Sequence, residues 1–178
     1  MALVMMIAGQ ALLGSGIAVV CSLGVAVFGG APSNMATTVG GLLIHLIAAI
    51  VIGVVLAGFT LLVRSRVGGR LAITNAKNGT GIGLLAGFVV WLVWGLPLMF
   101  VLMIPAMETV MMAMPMNGMM PTQAELMMML QSTLPSLVAA WFLAHLVYGG
   151  IWGAVTGFAA DRRASLTSAR ASAAGVSR

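Results

Sequence analysis

Charge is the scarcest commodity in this sequence. Of 178 residues only Glu108, Glu125 and Asp161 are acidic, only eight are basic, and charged residues make up 6% of the chain. A soluble domain of this length carries about 25% charged residues, so this chain lacks the polar surface to stand in water. One cysteine, Cys21, excludes a disulfide within the chain, and its place in an apolar run marks it as a small buried residue. With three acids and two histidines, no nucleophile–base–acid set is visible, and no CxxC, HExxH or phosphate-binding glycine motif stands in a usable context. Gly81-x-Gly83 is too slight to count and eases entry into an apolar block. These absences argue against an enzyme. A nucleic-acid partner would require a basic face interleaved with stacking aromatics, which the sequence does not offer.

What remains is apolar: 61% hydrophobic residues and a mean hydropathy of +1.14. They come in four blocks, about 3–28, 38–63, 82–104 and 134–160, each long enough to cross about 30 Å at about 1.5 Å per residue. The first block has no preceding Lys or Arg and exceeds a signal-peptide core, so it reads as a retained span. The expected fold is all-α: a polytopic bundle of four transmembrane helices over residues 1–163, with a Met-rich outer loop at 105–133 and a disordered cytoplasmic tail at 164–178. Arg64, Arg66, Arg70 and Lys77 follow the second block, and Arg162, Arg163, Arg170 and Arg178 follow the fourth. Every basic side chain thus falls on one face, as the positive-inside rule requires of a cytoplasmic face. Both termini are expected there, in an inner membrane, and the lipid bilayer is the first expected partner. Trp91 and Trp94 lie mid-span and are expected to pack.

The second and fourth blocks align without gaps at an offset of 100. Leu43, His45, Leu46, Gly53 and Val55 match Leu143, His145, Leu146, Gly153 and Val155. In each, a histidine heads a line of small residues four apart: His45, Ala49, Gly53, Ala57, and His145, Gly149, Gly153, Gly157. Residues four apart share a helix face, and small residues at that spacing let helices approach closely in lipid. The chain therefore reads as two similar hairpins. The stripes are candidate packing seams, either for the chain's own helices or for another membrane subunit or a second copy of itself.

Counted back from the cytoplasmic arginines, His45 and His145 lie about 25–29 Å away, at one level near the outer edge of the hydrocarbon layer. Ionisable residues there point to function. All methionines except Met1, Met5, Met6 and Met35 lie from Met99 onward. Met99, Met103, Met107 and Met111 are four apart; Met114, Met116, Met119 and Met120 follow in a turn-like stretch. Thioether sulfur suits Cu(I), and imidazole suits copper as well. His45, His145, Met99, Met103 and Met107 are candidate copper ligands, with Met114, Met116, Met119 and Met120 as an entry funnel. Thr122-x-x-Glu125 has the spacing of a capping box, and Pro105 and Pro135 are expected to bend or end helices.

The segment AHLVYGGIWGAVTGF, Ala144–Phe158, resembles the His-x-x-x-Gly helices of small bacterial inner-membrane proteins of the YagU-like group. That resemblance implies a four-helix inner-membrane protein and carries no reaction. The sequence leads to a non-enzymatic membrane subunit, an accessory component of a larger complex or a homo-oligomer. Extracytoplasmic Cu(I) handling is the alternative, and a small transporter or channel a second one.

Overall fold

A computed structural model describes residues 6–7, 9–11, 16–30, 34–66, 73–113 and 120–176, with the side chains of 59, 61–66 and 173–176 outside that description. The described residues are helical, with no strand among them. We number the helices α1 (Gly16–Phe28), α2 (Met35–Arg66), α3 (Ala76–Met112) and α4 (Gln123–Val176). The last three are long and apolar enough to cross a membrane.

Local sequence sets the boundaries. Asn34 and Asn75 cap α2 and α3: their Oδ1 atoms accept from the N–H of Ala36 and Asn78, both at 2.9 Å. Gly29 and Gly30 end α1 with φ of +66° and +99°, angles that side chains with a Cβ rarely adopt. At α4 the capping box forms as its spacing predicts. Glu125 N–H donates to Thr122 Oγ1, while Glu125 Oε2 accepts from the Thr122 N–H at 2.9 Å and hydroxyl at 2.7 Å.

Of block 3–28 the structure describes α1, 13 residues or about 20 Å at about 1.5 Å each, and the Gly16 N–H donates to Gln10 Oε1 at 3.1 Å; residues 3–5, 8 and 12–15 lie outside the described residues. Three expected boundaries move. The outer loop at 105–133 is largely helical, because α3 continues to Met112 and α4 begins at Gln123. Pro135 lies inside α4 without ending it. Helix also runs through the stretch expected to be disordered, to Val176. Its exposed side chains give it no packing, so it rests on the helix propensity of Ala and Arg and on hydroxyls such as Thr167 and Ser172 bonded back to carbonyls of the preceding turn.

The chain divides into two compact units: Met1–Ile52 with Val90–His145, and Gly53–Val89 with Leu146–Arg178. In the second, Gly149, Gly153 and Gly157 of α4 meet α3 backbone to backbone. A Cβ at Gly153 would overlap the Gly79 carbonyl oxygen and stand 2.9 Å from Gly83 Cα. One at Gly149 would overlap the Gly83 oxygen and stand 2.9 Å from Gly87 Cα, and one at Gly157 would overlap the Asn75 oxygen. Gly79, Gly83 and Gly87, also four apart, are thus the other half of this seam, and Gly83 belongs to it while Gly81 faces open space. The matching stripe on α2 is looser, since Gly53 has only the Tyr148 hydroxyl beside it.

In the first unit α1 packs against the Met-bearing end of α3, and Cys21 is fully buried beside Ala18 and Val110. Gly24 and Gly41 let α1 and α2 cross closely: a Cβ at Gly41 would overlap the Val20 oxygen, and one at Gly24 the Thr37 oxygen. Trp91 packs edge-on against Phe142, with centroids 4.9 Å apart. Trp94 does not pack as expected and is 69% exposed.

Candidate functional site

The site begins with two prolines. Pro97 and Pro105 have no N–H and crowd the carbonyl four residues back, Val93 and Val101. Helix α3 answers both times with a widened turn, Trp91–Gly95 and Met99–Met103. The N–H of Leu96 reaches back five residues to the Trp91 oxygen, and that of Ile104 to the Met99 oxygen. Such π turns concentrate at functional sites.

The second π turn keeps the methionines in line. In a regular α-helix, side chains four residues apart drift by about 40° per step, since each residue turns about 100°. A wider turn absorbs part of that drift. Met99, Met103, Met107 and Met111 are accordingly all buried in one core with Leu126, Leu130, Leu137 and Trp141. Beside this core lies a partly open cleft of about 120 Å³, lined by the buried Met99, Met103 and Met107 and the exposed Met127, with the polar groups of Glu108 and Gln131 and, among the remaining lining residues, Trp141.

The first π turn places Gly95 against α4. A Cβ there would come within 3.2 Å of His145 Nε2 and 3.3 Å of Trp141 Nε1. The two rings are nearly parallel, 14° apart, with centroids 6.2 Å apart. His145 is 4% exposed, and its Nδ1 lies 2.8 Å from the Trp141 carbonyl oxygen. A carbonyl only accepts, so Nδ1 carries the proton and Nε2 presents a lone pair. Ligating histidines are held in this way, with the far N–H on a backbone carbonyl. Trp141 Nε1 and His45 Nε2 are buried with no hydrogen-bond partner. Leaving such a group unpaired costs about 1–3 kcal/mol.

The structure thus brings together Met99, Met103 and Met107, and sets His145 beside Trp141, which also lines their cavity. His45 is half-buried on α2 and does not line the cleft. Met120 is 63% exposed, and Met114, Met116 and Met119 lie outside the described residues. No cluster of three or more His, Cys, Asp or Glu suited to a metal occurs among the described residues; a metal held here would depend on thioethers. Sequence reasoning passed over Gly95 and Trp141 at this site. The available signal was the repeated proline eight residues apart, with Gly95 two residues before the first.

Compared with protein-family models, curated proteins and solved structures, the chain matches none.

Proposed function

We propose that the chain is a non-enzymatic integral membrane subunit, an accessory component of a larger membrane complex or of a homo-oligomer. In this reading it is a four-span, two-hairpin protein of an inner membrane with both termini cytoplasmic, as in the YagU-like group. The one-sided distribution of arginines supports that topology. The first crossing then needs residues ahead of α1 to add to its length.

The observation that carries the subunit reading is the contrast between α2 and α4. Of the apolar window of α2 only 6% is buried within the chain, against 33% for α4. The glycines of α4 are sealed by α3, whereas Gly53 of α2 meets no backbone and Gly58 meets nothing. A small-residue line that its own chain leaves unsealed is a surface on which another helix can pack. Cross-linking from Val54→Cys, followed by native mass measurement in mild detergent, tests this. A dimer or a captured membrane chain is expected; a monomer with no cross-linked partner overturns the reading. Topology is tested separately with an impermeant maleimide in a Cys21→Ser background. Asn34→Cys should label from outside, and Ser168→Cys only after permeabilisation.

A second reading, extracytoplasmic Cu(I) handling, is favoured by one observation: the methionine stripe of α3 borders a cavity. On this reading Met114, Met116, Met119 and Met120 deliver the ion.

A further inference from the structure

We infer that the cavity bordered by Met99, Met103, Met107 and Met127 is a binding site for a soft monovalent cation, Cu(I) or its analogue Ag(I). The inference rests on the second reading above and deepens it by naming the cleft, with Met127 added to the three α3 methionines, as the place where the ion is held.

Three observations point there. Methionine is unbranched and flexible and fills irregular gaps in cores, and protein interiors otherwise pack to crystal-like density. Here four such side chains line one cleft of about 120 Å³ that is partly open at the exposed Met127 and Gln131, so their sulfurs converge where an ion can enter. Second, the lining selects its ligand. Hard cations need six or more oxygens, or several waters, and the polar side chains here are Glu108 and Gln131. Thioethers suit Cu(I), and one carboxylate balances one positive charge. Third, the ligands are pre-positioned: Met99, Met103 and Met107 are each 2–3% exposed, held on one face by the π turn ahead of Pro105. Past Trp141, which both borders the cavity and lies alongside the His145 ring, waits the unprotonated Nε2 of His145.

The experiment is a Cu(I) competition titration of the purified full chain against a chelator, with X-ray absorption of the copper-loaded protein. Two variants are compared with wild type. The cavity variant carries Met103→Leu and Met107→Leu; the loop variant carries Leu at Met114, Met116, Met119 and Met120. Leu is close to Met in volume and apolar, so the fold is expected to survive. The cavity variant should bind at least about tenfold more weakly, the lower end of what loss of a supporting group costs a metal site. The loop variant should keep equilibrium affinity and still show sulfur around copper. If the cavity variant binds like wild type and the loop variant does not, the inferred site is wrong and the loop methionines hold the ion rather than deliver it. If wild type binds no copper, both fail. Should the double variant not fold, sulfur absent from the copper shell of the loop variant overturns the inference by itself.

Discussion

Replacing Gly153 by Ala should break the seam between α3 and α4 of the second unit, and the cost can be worked from the backbone. The new Cβ would overlap the Gly79 carbonyl oxygen and stand 2.8 Å from the Gly79 carbonyl carbon and 2.9 Å from Gly83 Cα. All three are main-chain atoms of a helix, so none can rotate away. The helices must separate, and overpacking of this kind costs about 1–3 kcal/mol. Each weak Cα–H···O hydrogen bond that opens along the seam adds about 0.5–1 kcal/mol. Alanine returns about 1 kcal/mol through its better helix propensity, which leaves a net loss of about 1–3 kcal/mol.

Gly81 supplies the control. It is exposed, two residues before Gly83, with nothing within 4 Å of a built Cβ, so Gly81→Ala should keep only the propensity gain of up to about 1 kcal/mol. The two variants should therefore differ by about 2–4 kcal/mol, with opposite signs relative to wild type. Unfolding in mixed micelles, followed by circular dichroism, measures both. Midpoints displaced equally and in the same direction would refute the seam. The Gly83→Ala/Gly153→Ala double variant should lose less than the sum of the singles, since both open the same interface.

Pro105→Ala should let the Met99–Met103 turn tighten to a regular α-helix and rotate Met99 relative to Met107; methyl-labelled methionine spectra should show Met99 leaving its buried environment while helix content stays constant. The Thr122 N–H and hydroxyl hold the Glu125 carboxylate, which lies ahead of the fourth apolar block, below its ordinary value. The stability this adds to the first turn of α4 is present above the ordinary carboxylate range and is lost as pH falls through the lowered value. Amide exchange at Leu126 should quicken on acidification in the wild type; Thr122→Ala, which keeps the backbone N–H and removes the hydroxyl, should remove only the smaller part of that pH dependence, and Glu125→Gln should remove it entirely. Ser168→Pro should melt the exposed end of α4 and reduce the helical signal, yet leave the unfolding midpoint unchanged, because nothing packs against residues 164–172.

The long apolar helices were legible because lipid leaves the backbone few choices, and the capping box because its chemistry is local to four residues. The histidine-headed glycine stripe of α4 was legible too, but its partner was not. Gly79-x-x-x-Gly83-x-x-x-Gly87 carries the same spacing, and attention to Gly81-x-Gly83 hid it. Which two stripes meet is a tertiary fact that periodicity alone does not give. Hydropathy sums over a stretch and does not register that Gln10 binds the Gly16 N–H ahead of α1. The methionines were noticed as a ladder at four-residue spacing. That they stay on one face required the π turn, and the π turn required seeing Pro105 as a source of extra helix width rather than of a bend.

The two units differ in what they leave unsatisfied. Where Gly149, Gly153 and Gly157 meet α3, backbone fits backbone and little chemistry remains to be done. In the unit that holds the methionines, a partly open cleft lies beside flexible side chains, and Trp141 Nε1 and His45 Nε2 are buried without partners. In a chain with three acids and 61% hydrophobic residues, apolar replacements for these groups are abundant, and each would relieve about 1–3 kcal/mol. The Trp141 cost, set against Gly95 of the first proline-induced π turn, fits a site held ready for a ligand better than it fits packing. The same logic ranks the positions to test. Leu at Met103 or Met107 changes the donor and keeps the volume, whereas Ala at His145 removes both the donor and the ring alongside Trp141. The thioether variants therefore report on binding with the least disturbance of the fold.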